Sequence, residues 1–397
     1  MPFSNTTLRF GSVTKAFHWL TALLILTLIP LGWYADELPY DTAPELARKA
    51  WLFSLHKTLG VSVFFVALLR ILWAATQPRP ALLNADHKLE AFAAETVHWL
   101  LYGALVIVPL SGWIGHAAAA GFAPIWWPFG QNLPLVPKNP AIEHIASAVH
   151  FYAGRMLILA LLLHIMGALK HHVIDRDATL RRMLPGTPAL GPLPPQTHSR
   201  APMVAAFVLW AGVIALGSAL ASGQETASDS PKLAQVASEW QVQDGKIMIT
   251  VTQFGSAVSG SFADWTADIR FDETATDGNH GAVTVTIAVP SLTLGSVTSQ
   301  ALAADFFDAA TFPVAIFKAD IIAVPDGYAA EGTLTIKDKT VPLTMPFLLA
   351  LNGDVAEMRA DLMLDRRDFG IGDNLADDSN LAFGVAINTS LHARRAE

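Results

Sequence analysis

The sequence predicts a multidomain chain: an α-helical membrane bundle of four helices with a fifth anchoring helix, followed by an all-β domain. Two patterns predict this fold class. The first part contains five apolar runs, each close to the roughly 20 residues that a helix needs to cross a bilayer. The second part alternates apolar and polar residues in short segments, which is the period of a β-strand. The apolar runs are residues 16–34, 50–74, 92–115, 145–170 and 202–221.

Composition sets the two parts apart. The chain has 397 residues, of which 52% are hydrophobic and 15% charged, which is too apolar for an ordinary soluble protein. Of its 26 basic and 34 acidic residues, 15 and 12 lie in residues 1–230, which leaves 11 and 22 for residues 231–397. The acidic second part argues against a nucleic-acid partner, since phosphate binding needs clustered Lys and Arg. The chain has no cysteine, which excludes disulfides, iron–sulfur clusters and covalently attached haem.

Basic residues predict the orientation of the helices. They precede the first helix, surround the second connection and follow the fourth helix, whereas the first and third connections are poorer in them or balance them with acids. By the positive-inside rule these basic segments, including the N-terminus, are cytoplasmic. The fifth helix then delivers the β domain to the periplasm of a bacterial inner membrane. The basic residues are Arg9, Lys15, Arg70, Arg79, Lys88, Lys170, Arg176, Arg181 and Arg182.

Four histidines on these runs point to a cofactor. His150 and His164 are fourteen residues apart on one run, which places them on nearly the same helix face, roughly 21 Å apart along the axis. A histidine inside a bilayer is costly and usually faces a cavity, a partner or a cofactor. By their predicted depth in the membrane, His18 is matched with His164 near the cytoplasmic side, and His56 is matched with His150 near the far side. We therefore predict two haem b groups with bis-histidine ligation, which leaves no open site on the iron and favours outer-sphere electron transfer.

Other histidines have simpler interpretations. Any one of the four could instead be a satisfied helix-packing residue, although that interpretation is weak for all four together. His98, in TVHWLLYG, is not predicted as a ligand because four histidines already complete two haems. His87, His116 and His144 lie at membrane edges, where a solvated side chain is the default.

The segments around the fifth run predict a connector and a linker. Residues 183–202 are Pro-rich, which is typical of a semi-rigid connector, and residues 222–230 form a short polar linker. A basic residue, the apolar run and the sequence ALA at 219–221 also resemble a signal peptide with a cleavage site. We favour an uncut membrane helix because the run is long. The predicted domains are residues 1–185, 186–230 and 231–397.

The β part predicts binding rather than catalysis. Its short β-branched and aromatic runs suit a barrel or a sandwich, and it contains no convincing catalytic triad, phosphate loop or zinc spacing. A small barrel encloses one ligand. The candidate interior residues are Phe254, Phe262, Trp265, Phe306, Phe312 and Phe317, each of which a plain packed core would explain equally well.

Both parts resemble known families. Residues 8–185 contain FHWL with His18, LHKTLG with His56, Arg70, the His150–His164 interval and GALKHHVIDRDATLRRMLP. In these motifs they resemble the bacterial cytochrome b561 family of four-helix di-haem quinone oxidoreductases, and within it the superoxide:ubiquinone oxidoreductase type. Residues 233–395 contain VSGSFADWTADIRFD, DFFDAATFPVAIFKADI, YAAEGTLTIKDKTVPLTMPF and DRRDFGIG. There they resemble the YceI family of lipocalin-like β-barrels that bind polyisoprenoid chains.

The resemblance implies a membrane oxidoreductase that exchanges electrons between the periplasmic side, with superoxide as a donor, and the quinone pool. Ubiquinone or another quinone is then a substrate, and the barrel holds an isoprenoid lipid, such as the tail of the quinone. Two alternatives stay open. One is a polyisoprenoid carrier that a cytochrome anchors without turnover, and the other is a quinol dehydrogenase that passes electrons outward. The oligomeric state is not predicted.

Several further residues are candidates for the cofactor and substrate sites. We expect Trp19, His171 and His172 near the quinone, at the cytoplasmic haem edge. Arg70 belongs to the haem motif. Arg155 is either a partner of a haem propionate or a surface-facing arginine. Together with Lys57 it gives the periplasmic haem edge a positive field that attracts an anion or only neutralises propionates.

Overall fold

The structure is a computed structural model that describes most of the chain in two compact units. One unit is built from most of the five long helices and the other around a β-sheet, and each is described by itself. The described residues are 2–40, 42–119, 123–126, 132–186, 188, 190, 196, 199–224, 233–234, 236–275, 278–295, 297–325, 327–375 and 377–396. Nine of the twenty residues of the Pro-rich connector and six of the nine residues of the polar linker lie outside them, so the limits of the domains stay a prediction.

Five long helices form the first unit, and each contains one of the predicted apolar runs. They are α1 (Ser12–Glu37), α2 (Ala43–Ala75), α3 (Lys88–Ala118), α4 (Pro140–Val173) and α5 (Ala201–Gln224). All five are long and apolar enough to cross a membrane. Each helix extends beyond its apolar run at both ends, because backbone hydrogen bonding continues after the sequence has become polar. The predicted five-helix membrane part is confirmed.

The ends of α4 show how its sequence sets its limits. Asn139 is the N-cap, and its side-chain oxygen accepts hydrogen bonds from the backbone N–H groups of Ala141 at 2.8 Å and Ile142 at 3.2 Å. Pro140 occupies the first turn, where its missing N–H has no intrahelical partner to lose. The last turn is basic, which is favourable beside the negative end of the helix dipole. These caps hold α4, the helix with two of the candidate ligands, at a fixed length.

Small residues let the helices pack closely. Gly103 on α3 faces Trp210 on α5, and a methyl group at Gly103 would overlap the indole ring. Trp210 is 6% exposed, and its indole N–H donates to the carbonyl of Leu100 at 3.3 Å. Gly217 on α5 likewise approaches the backbone of Val149 on α4. The fifth helix therefore docks specifically on α3 and α4, in the manner of membrane helices that meet at small residues.

A ten-stranded antiparallel sheet forms the core of the second unit. Its strands are β1 (Trp240–Gln253), β2 (Ser256–Phe262), β3 (Trp265–Phe271), β4 (Asn279–Ala288), β5 (Leu292–Thr293), β6 (Val314–Val324), β7 (Gly327–Ile336), β8 (Lys339–Asn352), β9 (Val355–Asp365) and β10 (Leu381–Arg395). A short helix, α6 (Thr298–Leu302), lies between β5 and β6. The order across the sheet is β3-β4-β6-β7-β8-β9-β10-β1-β2-β5. Most neighbours are consecutive hairpins, which is the pattern of an up-and-down barrel.

The sheet curls until its edge strand β3 returns to β1. The ring of Trp265 on β3 lies against Gly245 on β1, where any side chain would overlap it. At the same closure the Ser238 hydroxyl, just before β1, accepts from the backbone N–H of Ile269 at 2.7 Å and donates to the carbonyl of that residue at 3.0 Å. The curled sheet encloses an apolar interior, so the predicted lipocalin-like barrel is confirmed. Strand β10 pairs with both β9 and β1. It lies outside the alternating runs that the sequence predicts as strands, which are residues 249–262, 282–289, 314–324, 328–337, 341–351 and 358–372.

Candidate functional site

The bundle brings the four candidate histidines together in two pairs. The ring centroids of His18 on α1 and His164 on α4 lie 6.1 Å apart. Those of His56 on α2 and His150 on α4 lie 6.4 Å apart. A single helix, α4, therefore supplies one imidazole to each pair at two different depths.

The separation within each pair fits a metal ion between the rings. A metal–nitrogen bond of about 2 Å, with about 1 Å more from the nitrogen to the ring centre, places two imidazoles on opposite sides of one ion about 6 Å apart. The two observed separations agree with this value. Neutral imidazole nitrogens are also ordinary axial ligands of haem iron. The donor set therefore fits b-type haem, which needs no cysteine.

Two glycines shape the pair formed by His56 and His150. A methyl carbon at Gly32 would lie 2.9 Å from Cε1 of His56, and one at Gly112 would lie 2.9 Å from Nδ1 of His150. Nδ1 of His150 also lies 2.8 Å from the carbonyl oxygen of Val108, a contact that orients the ring and leaves Nε2 for a metal. Sequence reasoning missed both glycines, although a glycine inside an apolar helix is a signal for close packing.

Polar groups surround the pair formed by His18 and His164. Arg70 Nη1 donates to the hydroxyl of Thr21 at 2.7 Å, and Thr21 follows His18 by three residues on α1. The guanidinium carbon of Arg70 lies 5.3 Å from the ring centre of Tyr102. Arg70 is therefore held between three helices beside this pair, where its charge suits a haem propionate.

His98 is a closer neighbour of His164 than the sequence indicated. Their ring centroids are 5.1 Å apart, and the rings are inclined by 74°. This distance is shorter than the one between His18 and His164, and it is about 1 Å less than the roughly 6 Å that two imidazoles on one metal ion require. The geometry assigns His98 a packing role against His164.

The three residues expected at a quinone site take different positions. The indole N–H of Trp19 donates to the carbonyl of Met183 at 2.9 Å. His171 Nδ1 lies 2.7 Å from a carboxylate oxygen of Asp177, and His172 is exposed. The structure therefore gives His171 a carboxylate partner that the sequence did not predict, and it ties Trp19 to the loop after α4.

Two cations lie on the helices of the His56/His150 pair. The guanidinium carbon of Arg155 lies 4.6 Å from the ring centre of Phe151 and 5.7 Å from that of Trp33, and Arg155 is exposed. Lys57 Nζ lies 3.3 Å from Nδ1 of His116. Both basic residues therefore lie within a few residues of the candidate ligands His150 and His56.

The barrel encloses a cavity of about 240 Å³ that is almost wholly apolar. Residues from nearly all of its longer strands line it, from Trp240 and Leu391 to Leu381 and Phe369. Of the predicted interior aromatics, Phe262, Trp265, Phe306 and Phe317 line the cavity. Phe254 and Phe312 are not among the lining residues. Phe254 has a φ of 48° in the β1–β2 turn, which takes it out of the alternation of the strand.

Four polar side chains break the apolar lining: Gln253, Gln300, Arg366 and Thr389. Arg366 is 2% exposed, and burial lowers the pKa of its guanidinium. Its N–H groups all donate to backbone carbonyls. The acceptors are Ala382 at 3.2 Å, Ile371 at 2.9 Å, Gly372 at 2.8 Å, Leu375 at 3.0 Å and Leu381 at 3.3 Å. Sequence reasoning missed these roles, although Arg366 lies in the DRRDFGIG motif.

Comparison with known proteins identifies both parts. Residues 9–186 match the family described as prokaryotic cytochrome b561, and residues 239–393 match the YceI-like domain. Cytochrome b561 homolog 2 of Escherichia coli is 31% identical over 189 residues, which are 46% of this chain and 95% of that protein. "Probable superoxide oxidase CybB" of Yersinia pestis is 26% identical over 178 residues, covering 45% of this chain and 96% of that protein.

Two solved structures are similar to the barrel. Burkholderia cenocepacia BcnA is 30% identical, covers 37% of this chain and 95% of its own, and has a TM-score of 0.35. A polyisoprenoid binding domain from Saccharophagus degradans is 12% identical and has a TM-score of 0.32, and the match covers 40% of this chain and 100% of that domain. The chain belongs to the prokaryotic cytochrome b561 family, whose members bind b-type haem and transfer electrons in membranes, and it carries a YceI-like domain after its membrane part.

Proposed function

We propose that this protein is a di-haem, quinone-linked oxidoreductase that moves electrons across a bacterial inner membrane and holds an isoprenoid lipid in its barrel. The observation that carries the proposal is the pairing of four histidines on α1, α2 and α4 at centroid separations of 6.1 and 6.4 Å. His18 and His164 ligate one haem b, and His56 and His150 ligate the other. The fourteen-residue interval from His150 to His164 on α4 spaces the two sites along the helix axis.

The chain controls the redox chemistry through its ligands and their surroundings. Haem supplies one-electron transfer when it is bound. Two histidines at each site would hold the haem through their ring nitrogens, and such ligation would favour electron transfer over the binding of oxygen. The carbonyl of Val108 orients the ring of His150. Arg70 would offset the negative charge of a haem propionate beside His18 and His164, and its hydrogen bond to Thr21 holds the guanidinium in place.

At the inner end, the protein must exchange protons with a quinone as well as electrons. His171 follows His164 by seven residues, two helical turns, on the same face of α4. Its contact with Asp177 at 2.7 Å fixes the orientation of the ring, and an imidazole can donate and accept a proton, so His171 suits that role toward a quinone. We assign Trp19 and His172 to the walls of the same site, with ubiquinone or another quinone as substrate.

At the outer end, positive charge favours an anionic electron donor. Lys57 adjoins His56, and Arg155 follows His150 by five residues on α4. Two cations in this region raise the local concentration of an anion such as superoxide. The Yersinia pestis relative is named a probable superoxide oxidase, which supports superoxide as the donor.

The orientation of the chain is testable because it has no cysteine. We assign the N-terminus to the cytoplasm and the barrel to the periplasm, with domains at residues 1–185, 186–230 and 231–397. A single cysteine at exposed Ser299 on the barrel should react with a membrane-impermeant maleimide in intact spheroplasts. A cysteine at Thr76, after α2, should react only after permeabilisation. The reverse pattern would overturn the orientation.

Electron transfer itself is tested with the purified full chain in liposomes that contain a quinone. Superoxide generated outside should produce quinol inside the bilayer, and the His56→Ala and His164→Ala variants should abolish it. Reduction of haem by quinol, with no quinol produced from superoxide, would instead favour an outward-passing quinol dehydrogenase. Because the barrel has an apolar cavity, a lipid carrier without turnover is the second candidate, and it would leave both electron-transfer assays negative while lipid co-purifies.

A further inference from the structure

One end of the barrel cavity carries polar groups with unmet hydrogen bonds. Gln253 is 3% exposed and lines the cavity, and its Oε1 has no hydrogen-bond partner. Gln300 on α6 also lines the cavity, and its Nε2 is buried without a partner. Buried polar groups in folded proteins are nearly always hydrogen-bonded. Two unmet amide groups in one apolar cavity therefore point to a ligand that completes them.

Gln253 lies at the end of the barrel that Arg366 closes. Gln253 is the last residue of β1 and is paired with Leu381 on β10. The carbonyl of Leu381 accepts a hydrogen bond from Arg366 Nη2 at 3.3 Å. These contacts place Gln253 and Arg366 at neighbouring positions on the same barrel end.

Gln300 belongs to a segment that is tied to the same end. The backbone N–H of Gly372 donates to the carbonyl of Asp305, five residues after Gln300, at 2.8 Å. The carbonyl of Gly372 in turn accepts from Arg366 Nη1 at 2.8 Å. We call the region of Gln253, Gln300 and Arg366 the head-group end. The opposite end is an apolar cluster that includes Trp240, Phe271 and Leu391.

The guanidinium of Arg366, the charged group at the head-group end, already donates all its N–H groups to the protein. A guanidinium has five N–H donors, and the five hydrogen bonds of Arg366 to backbone carbonyls use them all. Arg366 is the only charged residue that the described part of the chain contributes to the lining. A phosphate or pyrophosphate in this cavity would therefore find no cationic donor, and burying an unpaired anion is very costly.

We propose that Gln253 and Gln300 bind a neutral, oxygen-bearing head group of a prenyl lipid, a hydroxyl or a carbonyl, and that the barrel selects against anionic prenyl phosphates. This inference rests on the proposed role of the barrel as an isoprenoid-binding domain and specifies its ligand. A primary amide turns to present its oxygen or its nitrogen, so the two side chains accept from a hydroxyl or donate to a carbonyl. Two sources share this chemistry, a prenylated quinone and a free polyprenol. The prenyl tail extends along the apolar lining toward the opposite end.

The test uses the full chain in detergent with four C20 prenyl probes that share a photoreactive tail and end in a hydroxyl, a benzoquinone, a phosphate or a hydrogen atom. After illumination, labelled peptides from residues 239–393 are quantified by mass spectrometry as a function of probe concentration. Labels in the membrane part are thereby excluded. The hydroxyl and benzoquinone probes should label the barrel at least about tenfold more tightly than the phosphate probe, and their ratio distinguishes polyprenol from quinone.

Variants separate head-group recognition from general damage. Replacing both glutamines (Gln253→Leu with Gln300→Leu) should weaken the binding of the hydroxyl and benzoquinone probes to the barrel by about fivefold to tenfold per lost hydrogen bond. The same change makes the cavity more apolar, so the probe that ends in a hydrogen atom should bind as tightly as to the wild type or more tightly. Ile387→Val, a change elsewhere in the lining, should leave the order of the probes unchanged. Equal labelling by all four probes, or no selective loss in the double variant, would overturn the inference. No barrel label with any probe would instead overturn the proposed isoprenoid function.

Discussion

A methyl group at Gly112 should displace His150, one of the four proposed haem ligands, without weakening α3, the helix that carries Gly112. The added carbon would lie 2.9 Å from Nδ1 of His150, whereas an ordinary contact begins at 3.4 Å, so the ring must move by about 0.5 Å. Metal–ligand distances are held within about 0.2 Å, and disturbing a group that orients a ligand typically costs about 10- to 100-fold in metal affinity. Alanine also favours a helix over glycine by roughly 1 kcal/mol. Any loss of haem from the Gly112→Ala protein therefore reports on the site of His56 and His150 and not on the stability of the helix.

The assay is haem content per chain of the purified Gly112→Ala protein, measured over a series of supplied haem concentrations. We expect the site of His56 and His150 to fill at about 10-fold or more higher concentration than in the wild type, while the site of His18 and His164 fills normally. Gly154→Ala, four residues beyond His150 on α4, is the matched control, because a methyl group there meets nothing within 4 Å. Normal filling of both sites in Gly112→Ala, or equal damage in the control, would refute the placement of the His150 ring.

Four further predictions concern other parts of the chain. Superoxide should reduce the protein at a rate that falls steeply with salt, and Arg155→Gln should flatten that dependence, because surface charges steer anions and are screened; a salt-independent rate would remove the steering role. The fifth helix should remain uncut, so the intact mass should be that of the full chain and not that of a fragment that begins at Ser222. Trp210→Ala should lower the stability of the bundle by about 3 kcal/mol in thermal unfolding. His392 Nδ1 donates a hydrogen bond to a carboxylate oxygen of Asp244 at 2.8 Å, which raises the pKa of His392. The stabilisation of the folded state by this contact is therefore complete below the unfolded pKa of the histidine and is lost as pH rises through its folded pKa. The melting-temperature difference between wild type and His392→Gln should then be larger at pH 5.5 than at pH 8.5, and a difference independent of pH would contradict this.

The histidine pairs could be predicted from the sequence because a helix converts residue number into depth. Each residue adds about 1.5 Å along the axis, so charge bias at the helix ends was enough to match His18 with His164 and His56 with His150 by depth. The contacts around the rings were not predictable in this way. The approach of Gly112 to His150 and of His98 to His164 depends on how the helices rotate and pack, which the hydrophobic pattern of a membrane helix hardly specifies.

In the barrel, the alternating period predicted strands but not the groups that matter for specificity. The pattern identifies which residues face inward, as it does for Phe262 and Phe317. It cannot show that Arg366 donates all its N–H groups to backbone carbonyls, because those carbonyls belong to residues 371–375 and to the start of β10, which only the fold brings together. Strand β10 was missed because small and polar residues interrupt its alternation, for example at Gly384 and Asn388.

The central claim is that the four histidines act as two pairs, and haem content in paired variants tests it most directly. The wild type should hold about two haem b groups per chain. Each single His→Ala variant should lose one. The double variant of His18 and His164 should lose no more than either single change, whereas the double variant of His164 and His150 should lose both. If the double variant of His18 and His164 lost both haems, or that of His164 and His150 only one, the pairing would be contradicted.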